Sequence, residues 1–209
     1  MEIRSSDLNN AEMYKLLTGV VVPRPIAWIT TMSEAGVVNL APFSAFTYVC
    51  SRPPMLGFNC GQRTPGVRKD TARNIFANRE YVVHVVDNSL LHVMHESSEE
   101  HPPEVSEPDL LGLEYIPSVH VKVPRLVAPR VAMECRFHDS MRLGERAEFI
   151  VGEVVLFHVR DDIIVNGKIE TEKLDPVARL GGPRYATLGP VQTLRVIEQS
   201  AQKTPNRTA

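Results

Sequence analysis

Three basic residues and a hydroxyl are gathered in one short run. Arg63, Arg68 and Lys69 precede Thr71 in the segment GQRTPGVRKDT, and a helix is expected to open directly after it. The unpaired amides at a helix N-terminus and the positive end of its dipole favour an anion there. Thr71 adds a hydroxyl, and together these groups suit a phosphate. The same residues also describe a solvated basic loop with Asp70 or Thr71 as an ordinary cap, and both readings stay open on the residues alone. A second stretch, Ala41-Pro42-Phe43-Ser44, sets small residues beside Phe43 and Phe46. Small side chains leave backbone amides exposed next to a flat surface, which a planar heteroaromatic ligand needs. The alternative is a plain hairpin with a proline-marked bulge.

Other reactive residue types are present without the spacing that chemistry requires. His92 and His95 lie three apart on an expected helix, but position 99 is Glu, so no zincin pattern follows and no metal site is expected. His84, His138 and His158 fall in strand-like runs, where a partnered imidazole is the default. Cys60 reads first as a small buried hydrophobe and second as a ligand contact. No G-x-S-x-G, Walker loop or G-x-G-x-x-G occurs, so a nicotinamide cofactor would not bind in Rossmann fashion.

The elements that must position these groups are mostly strands. Residues 26–32 are β-branched and aromatic, residues 33–36 carry turn chemistry, and an apolar run from 37 is interrupted by Pro42, which belongs at a sheet edge or bulge. Further strands are expected near 43–49, 55–60, 80–86, 119–127, 131–138, 149–159 and 192–196. Gly152 is placed to bend the longest of them. Helices are expected from a Ser6 cap, with Leu8, Ala11, Tyr14 and Leu17 on one face, and at 71–78 and 88–96. Residues 96–109 hold six carboxylates, three prolines and no Lys or Arg, the composition of a solvated loop. About eight or nine short strands without regular strand–helix alternation predict a mainly β protein: an antiparallel barrel with peripheral helices.

A chain of 209 residues with net charge −2 has length for one β-rich domain and no basic face that would announce nucleic acid. Three widely spaced cysteines fit a reducing compartment better than a disulfide framework. No leader or apolar span is apparent, so a cytoplasmic protein is expected, with no membrane partner. Residues 1–197 are read as the domain and 198–209 as a polar, disordered tail.

The runs RPIAWITT, GVVNLAPFSAF, RPPMLGF, RKDTARNI and NREYVVHVV, in this order, resemble the flavin reductase-like family of FMN-binding split-barrel proteins. GEVV and PVARLGGPRY are similar to flavoredoxin-like members, and the likeness spans roughly residues 15–195. The resemblance implies a six-stranded antiparallel split barrel, usually a homodimer with the flavin at the subunit interface. It puts Thr30 and Thr31 beside the isoalloxazine, and Asn39, Ala41, Phe43 and Ser44 along the ring and its polar edge. Cys60, Gly61 and Arg63 follow the ribityl and phosphate path. Lys69, Asp70 and Thr71 match the phosphate-binding K-D-T, and Tyr185 with the Gly181-Gly182 turn approaches late in the chain. The activity implied is hydride transfer from NADH or NADPH to flavin N5, with electrons passed to a flavin or protein acceptor. No catalytic acid or base is demanded by such chemistry. The nicotinamide-contacting histidine of two-component reductases sits in a differently spaced late motif, from which the surroundings of His158 depart. An FMN-containing electron carrier that does not use NAD(P)H is therefore the alternative, and a cofactor-free β-barrel interaction module a third reading.

Overall fold

The computed structural model describes residues 1–64 and 66–197. Strand β1 (Ala27–Met32) and strand β2 (Val38–Phe43) pair antiparallel from Ala27↔Phe43 to Met32↔Val38. Gly36 turns the hairpin at φ +84°, a conformation that favours a residue without Cβ. Helix α1 (Asn10–Val20) precedes the hairpin, and after β2 come β3 (Phe46–Ser51), β4 (Pro54–Thr64), helix α2 (Asp70–Asn78) and β5 (Glu80–Val85). The long hairpin β6 (Val131–Leu143) and β7 (Ala147–Val159) completes the sheet. The strand order is β2-β1-β5-β6-β7-β4-β3, antiparallel at every step, with Val67–Arg68 added beside β4.

This order forces closure. β2 and β3 stand at opposite ends of the sheet, yet only Ser44 and Ala45 separate them in the chain. Three Cα steps span at most about 11 Å, so the two edges must meet. The sheet curls into a barrel whose β2/β3 seam carries no ladder, and Phe43 closes on Phe58 of β4 with ring centroids 5.0 Å apart. This is a split barrel, and Pro42 sits on its edge strand, where the missing N–H breaks no ladder bond.

The barrel interior takes Ala27, Ile29, Phe58, Val83, Met133 and Ile150, all buried. Trp28, Thr30 and His84 face the other way and are buried as well. α3 (Leu91–Glu96) and the segment through 111–130 cover that outer face. Covering on both faces explains why β1 shows no polar alternation. Gly152 makes room inside: a Cβ there would lie 2.1 Å from the Tyr81 hydroxyl, beside the β6 bulge between Phe137 and Asp139.

Several elements differ from the sequence expectation. The first helix, α1 (Asn10–Val20), starts at an Asn9–Glu12 capping box and not at Ser6. Its Tyr14 and Leu17 are 69% and 53% exposed, so no inner face exists within this chain. Residues 61–64, expected in the basic loop, continue β4, and β6 runs five residues past His138. Residues 192–196 form no strand. The stretch 119–127 is largely irregular, with only Arg125–Leu126 paired. The expected tail, 198–209, lies outside the described residues. No helix among the described residues is long and apolar enough to cross a membrane.

Candidate functional site

Lys69 is where three cavities meet. The largest, about 720 Å³, crosses the barrel seam between Pro42, Phe43 and Ser44 on one side and Asn59, Gly61 and Gln62 on the other. A second, about 500 Å³, lies between the β2 rim and the turn that carries Arg179 and Tyr185. The third, about 40 Å³, is enclosed by Asn39, Ala41, Arg63, Thr71 and the acidic residues Glu99 and Glu100. Lys69 lines all three.

The position follows from how α2 begins. Lys69 is its N-cap residue, with extended backbone, and its side chain makes no capping hydrogen bond. The Lys69 ammonium is left at the positive end of the helix, 3.9 Å from Glu100. Asp70 occupies the first helical position, where a carboxylate complements the dipole. It is buried and ion-paired with Arg63 at 2.6 Å and with Arg73. Buried amides fix the helix to the hairpin: Asn39 Nδ2 donates to Thr71 Oγ1 at 3.2 Å, and Asn74 Nδ2 donates to Thr31 Oγ1 at 3.1 Å. Each such bond contributes about 1 kcal/mol, and the pair sets the register of Lys69 against β2. Thr71 keeps its own hydroxyl proton free to donate.

The acidic segment is solvated along Glu96, Glu99, Glu100, Glu104 and Asp109, as its composition predicts, but it is anchored at two buried points. Ser97 is buried and accepts from Trp28 Nε1 at 2.9 Å. Glu107 is buried in the short helix Glu107–Leu110 and accepts the Leu40 amide at 2.9 Å. Burial raises the Glu107 carboxyl above its usual range, against the pull of that amide. The His101 carbonyl accepts from Arg63 at 3.1 Å. Glu107 thus pins the loop over the free edge of β2, next to the cations.

Of the residues singled out from the sequence, the structure brings Asn39, Ala41, Phe43, Ser44, Gly61, Arg63, Lys69, Asp70, Thr71 and Tyr185 onto these cavities. Phe43 presents only a rim, since its ring is packed into the core. Thr30, Thr31 and Cys60 are buried away from them. Thr30 points to the outer face and donates to the Pro124 carbonyl at 2.8 Å. Thr31 is the acceptor of Asn74. The Cys60 thiol is pushed up to about 12 by burial, only partly opposed by Lys69, so it stays protonated. Sequence reasoning missed Arg24, Arg146 and Arg179, which also line the cavities. Arg24 opens the first recognisable run and Arg179 belongs to the last, but nothing local shows that the fold joins them: Arg24 Nη2 donates to the Leu180 carbonyl at 3.0 Å. Among the described residues no group of His, Cys, Asp and Glu is arranged to hold a metal ion.

Residues 19–170 match the flavin reductase like domain family. An uncharacterized protein of Halalkalibacterium halodurans is 42% identical over 194 residues, 90% of this chain and 93% of its own. The crystal structure of nitrilotriacetate monooxygenase component B from Bacillus cereus superposes with a TM-score of 0.90 at 36% identity, covering 93% of this chain and 98% of that one. The 2-nitrobenzoate 2-nitroreductase of Pseudomonas fluorescens gives 0.86 at 29%, covering 96% and 100%. The chain belongs to the flavin reductase-like family, a flavin-binding split-barrel family.

Proposed function

We propose that the protein is an FMN-binding reductase that takes hydride from NADH or NADPH and passes the electrons to a flavin or protein acceptor. The observation that carries this is the convergence of the seam cavities on Lys69 at the open N-terminus of α2. FMN fits the residues present. Lys69, Arg63 and Thr71 would hold its phosphate by charge and hydroxyl, at amides without a side-chain cap. Gly61 leaves the path between seam and phosphate open, and Ala41, the Phe43 rim and Ser44 would take the ring. Once bound, FMN supplies the hydride-accepting chemistry, and the protein's part is to orient, desolvate and exclude.

Tyr14, Leu17, Val20 and Val21 of α1 and its C-cap are exposed, and so is Leu143 at the tip of the β6–β7 hairpin. A homodimer that covers this face and finishes the wall of the seam cavity is part of the reading. The three free cysteines suit a reducing, cytoplasmic setting.

One observation favours the electron-carrier alternative. His158 is engaged by Glu134 on the outer face, Nε2 to Oε1 at 2.6 Å, and does not line the cavities around Lys69. Anaerobic absorbance spectra separate the two. Flavin bands near about 370 and 450 nm that bleach with NADH or NADPH support the reductase. Bands that persist support the carrier, and a protein that stays colourless with added FMN overturns both.

A further inference from the structure

The cavity between the β2 rim and the Arg179–Tyr185 turn shares Lys69 and Ser44 with the flavin reading but adds a cation, Arg179, to which no part of FMN is assigned. Three cations line it, Arg24, Lys69 and Arg179, and no carboxylate among the described residues. Their duties differ. Arg24 is spent on backbone carbonyls, those of Thr18 at 2.8 Å and Leu180 at 3.0 Å. Lys69 is shared with the other two cavities and is assigned above to the flavin phosphate. Arg179 is held without being satisfied. Its Nε donates to the Gly182 carbonyl at 2.8 Å and its Nη1 to the Tyr185 hydroxyl at 2.7 Å, while Nη2 has no partner among the described residues. The Tyr185 hydroxyl is also hydrogen-bonded with His95 Nδ1 at 2.8 Å, so the phenol is fixed from both sides. The guanidinium carbon sits 4.8 Å from the Tyr185 ring centroid. Stacking of this kind holds the planar fork in one orientation.

We propose that this cavity takes a planar aromatic carboxylate, gripped by Arg179, as a second ligand beside the flavin; the proposal rests on the flavin reading above. A guanidinium with a free edge matches a carboxylate through two parallel hydrogen bonds, which a compact ammonium cannot do. The remaining wall sets Tyr14, Ile26, Pro42 and Met94, which offer a flat ring apolar contact, among the hydroxyls of Thr18, Ser44 and Ser98, which suit polar substituents on it. A volume of about 500 Å³ admits a substituted benzoate with room to spare.

Calorimetric titration of the full-length protein, with and without FMN, tests this using benzoate and its neutral isostere benzamide. Benzoate is expected to bind at least about tenfold more tightly, the effect of a charged hydrogen-bond pair. Arg179→Gln is expected to abolish that preference and Arg179→Lys to restore part of it, while FMN affinity measured by flavin fluorescence quenching is unchanged. Equal binding of the two probes to the unmodified protein, or binding of neither at millimolar concentration, overturns the proposal without recourse to a variant. Loss of FMN binding in Arg179→Gln overturns it too, because the cavity would then be part of the flavin site. Tighter, Arg179-dependent binding of adenosine monophosphate would assign the cavity to a phosphate and likewise overturn it. An unmodified protein that binds benzoate selectively but no FMN defeats the flavin reading and leaves the carboxylate site standing.

Discussion

Glu134 and Glu107 are the same residue type, both buried, both holding a loop against the barrel, and they differ in how well they are paired. Glu134 accepts the amides of Val119, His120 and Val121 at 2.7, 2.6 and 3.1 Å and meets the His158 imidazole at 2.6 Å. Burial alone would raise its carboxyl, but these donors outweigh it and hold it below the usual range. Glu107 accepts one interstrand-edge amide, that of Leu40, and burial wins, so its carboxyl is raised. A saturated carboxylate makes a clamp, and an undersatisfied one makes a latch. The clamp lies on the outer face, remote from the cavity linings, and the latch sits where the acidic loop touches the β2 edge beside Lys69. Strength is placed where the scaffold needs it, and the weaker hold is placed at the site.

The largest expected effect is at the clamp. Glu134→Ala strands several amides and an imidazole and should cost about 3–5 kcal/mol of stability, read from urea midpoints. A loss below about 1 kcal/mol would show that solvent replaces the carboxylate and would erase the contrast with Glu107.

Next is acid sensitivity on the same outer face. His84 donates from Nδ1 to the Trp28 carbonyl at 2.9 Å and accepts the Leu126 amide on Nε2 at 3.0 Å, so it is neutral. Burial lowers its pKa from 6.5 to about 4. The unfolded chain therefore takes up the proton first. Stability is complete above about pH 6.5 and is lost as pH falls toward 4, by roughly 3 kcal/mol from this residue. Glu134, with a lowered carboxyl, adds its loss further into the acid range, whereas the raised Glu107 opposes both by favouring the folded state as pH falls. Urea unfolding from pH 7 to 4.5 should show the decline in the unmodified protein and a flatter curve in His84→Asn; parallel curves would remove His84 as its source.

At the site, Lys69→Ala should weaken FMN binding by about 1–3 kcal/mol, as expected for one charged hydrogen bond. Unchanged affinity in a fluorescence titration would take the phosphate away from α2. The smallest effect belongs to the latch. Glu107→Gln keeps an oxygen for the Leu40 amide and should change stability by under about 1 kcal/mol, with hydrogen exchange at Leu40 still slow. Rapid exchange there would mean that the charge itself holds the loop.

Much of this is legible in the sequence. The turn at 33–36, the edge position of Pro42, the helix after Lys69 and the mainly antiparallel strands follow from local rules about φ, missing donors and apolar period. The basic run reads equally as an anion site or a capped solvated loop, and its residues 61–64 are strand, Gly61 paired with Ala147 and Gln62 and Thr64 with Arg68 and Val67, partners that no local signal reveals. Thr30 and Thr31 looked equivalent in sequence; the pleat sends one hydroxyl to Pro124 and the other to Asn74. The acidic run is solvated at five of its six carboxylates, as composition indicates, but composition cannot show that the sixth, Glu107, accepts an edge amide.

The sequence by itself determined most of the barrel strands, the helix after Lys69 and the presence of cations near its start, since each depends on neighbours within a few residues. Only the tertiary structure decided that β2 meets β3 across an open seam, that Arg24 reaches Leu180, and that Arg179 and Tyr185 face the same cavity as Lys69. Those outcomes depend on sheet order and closure, and residues 156 positions apart share no local signal from which a contact could be read.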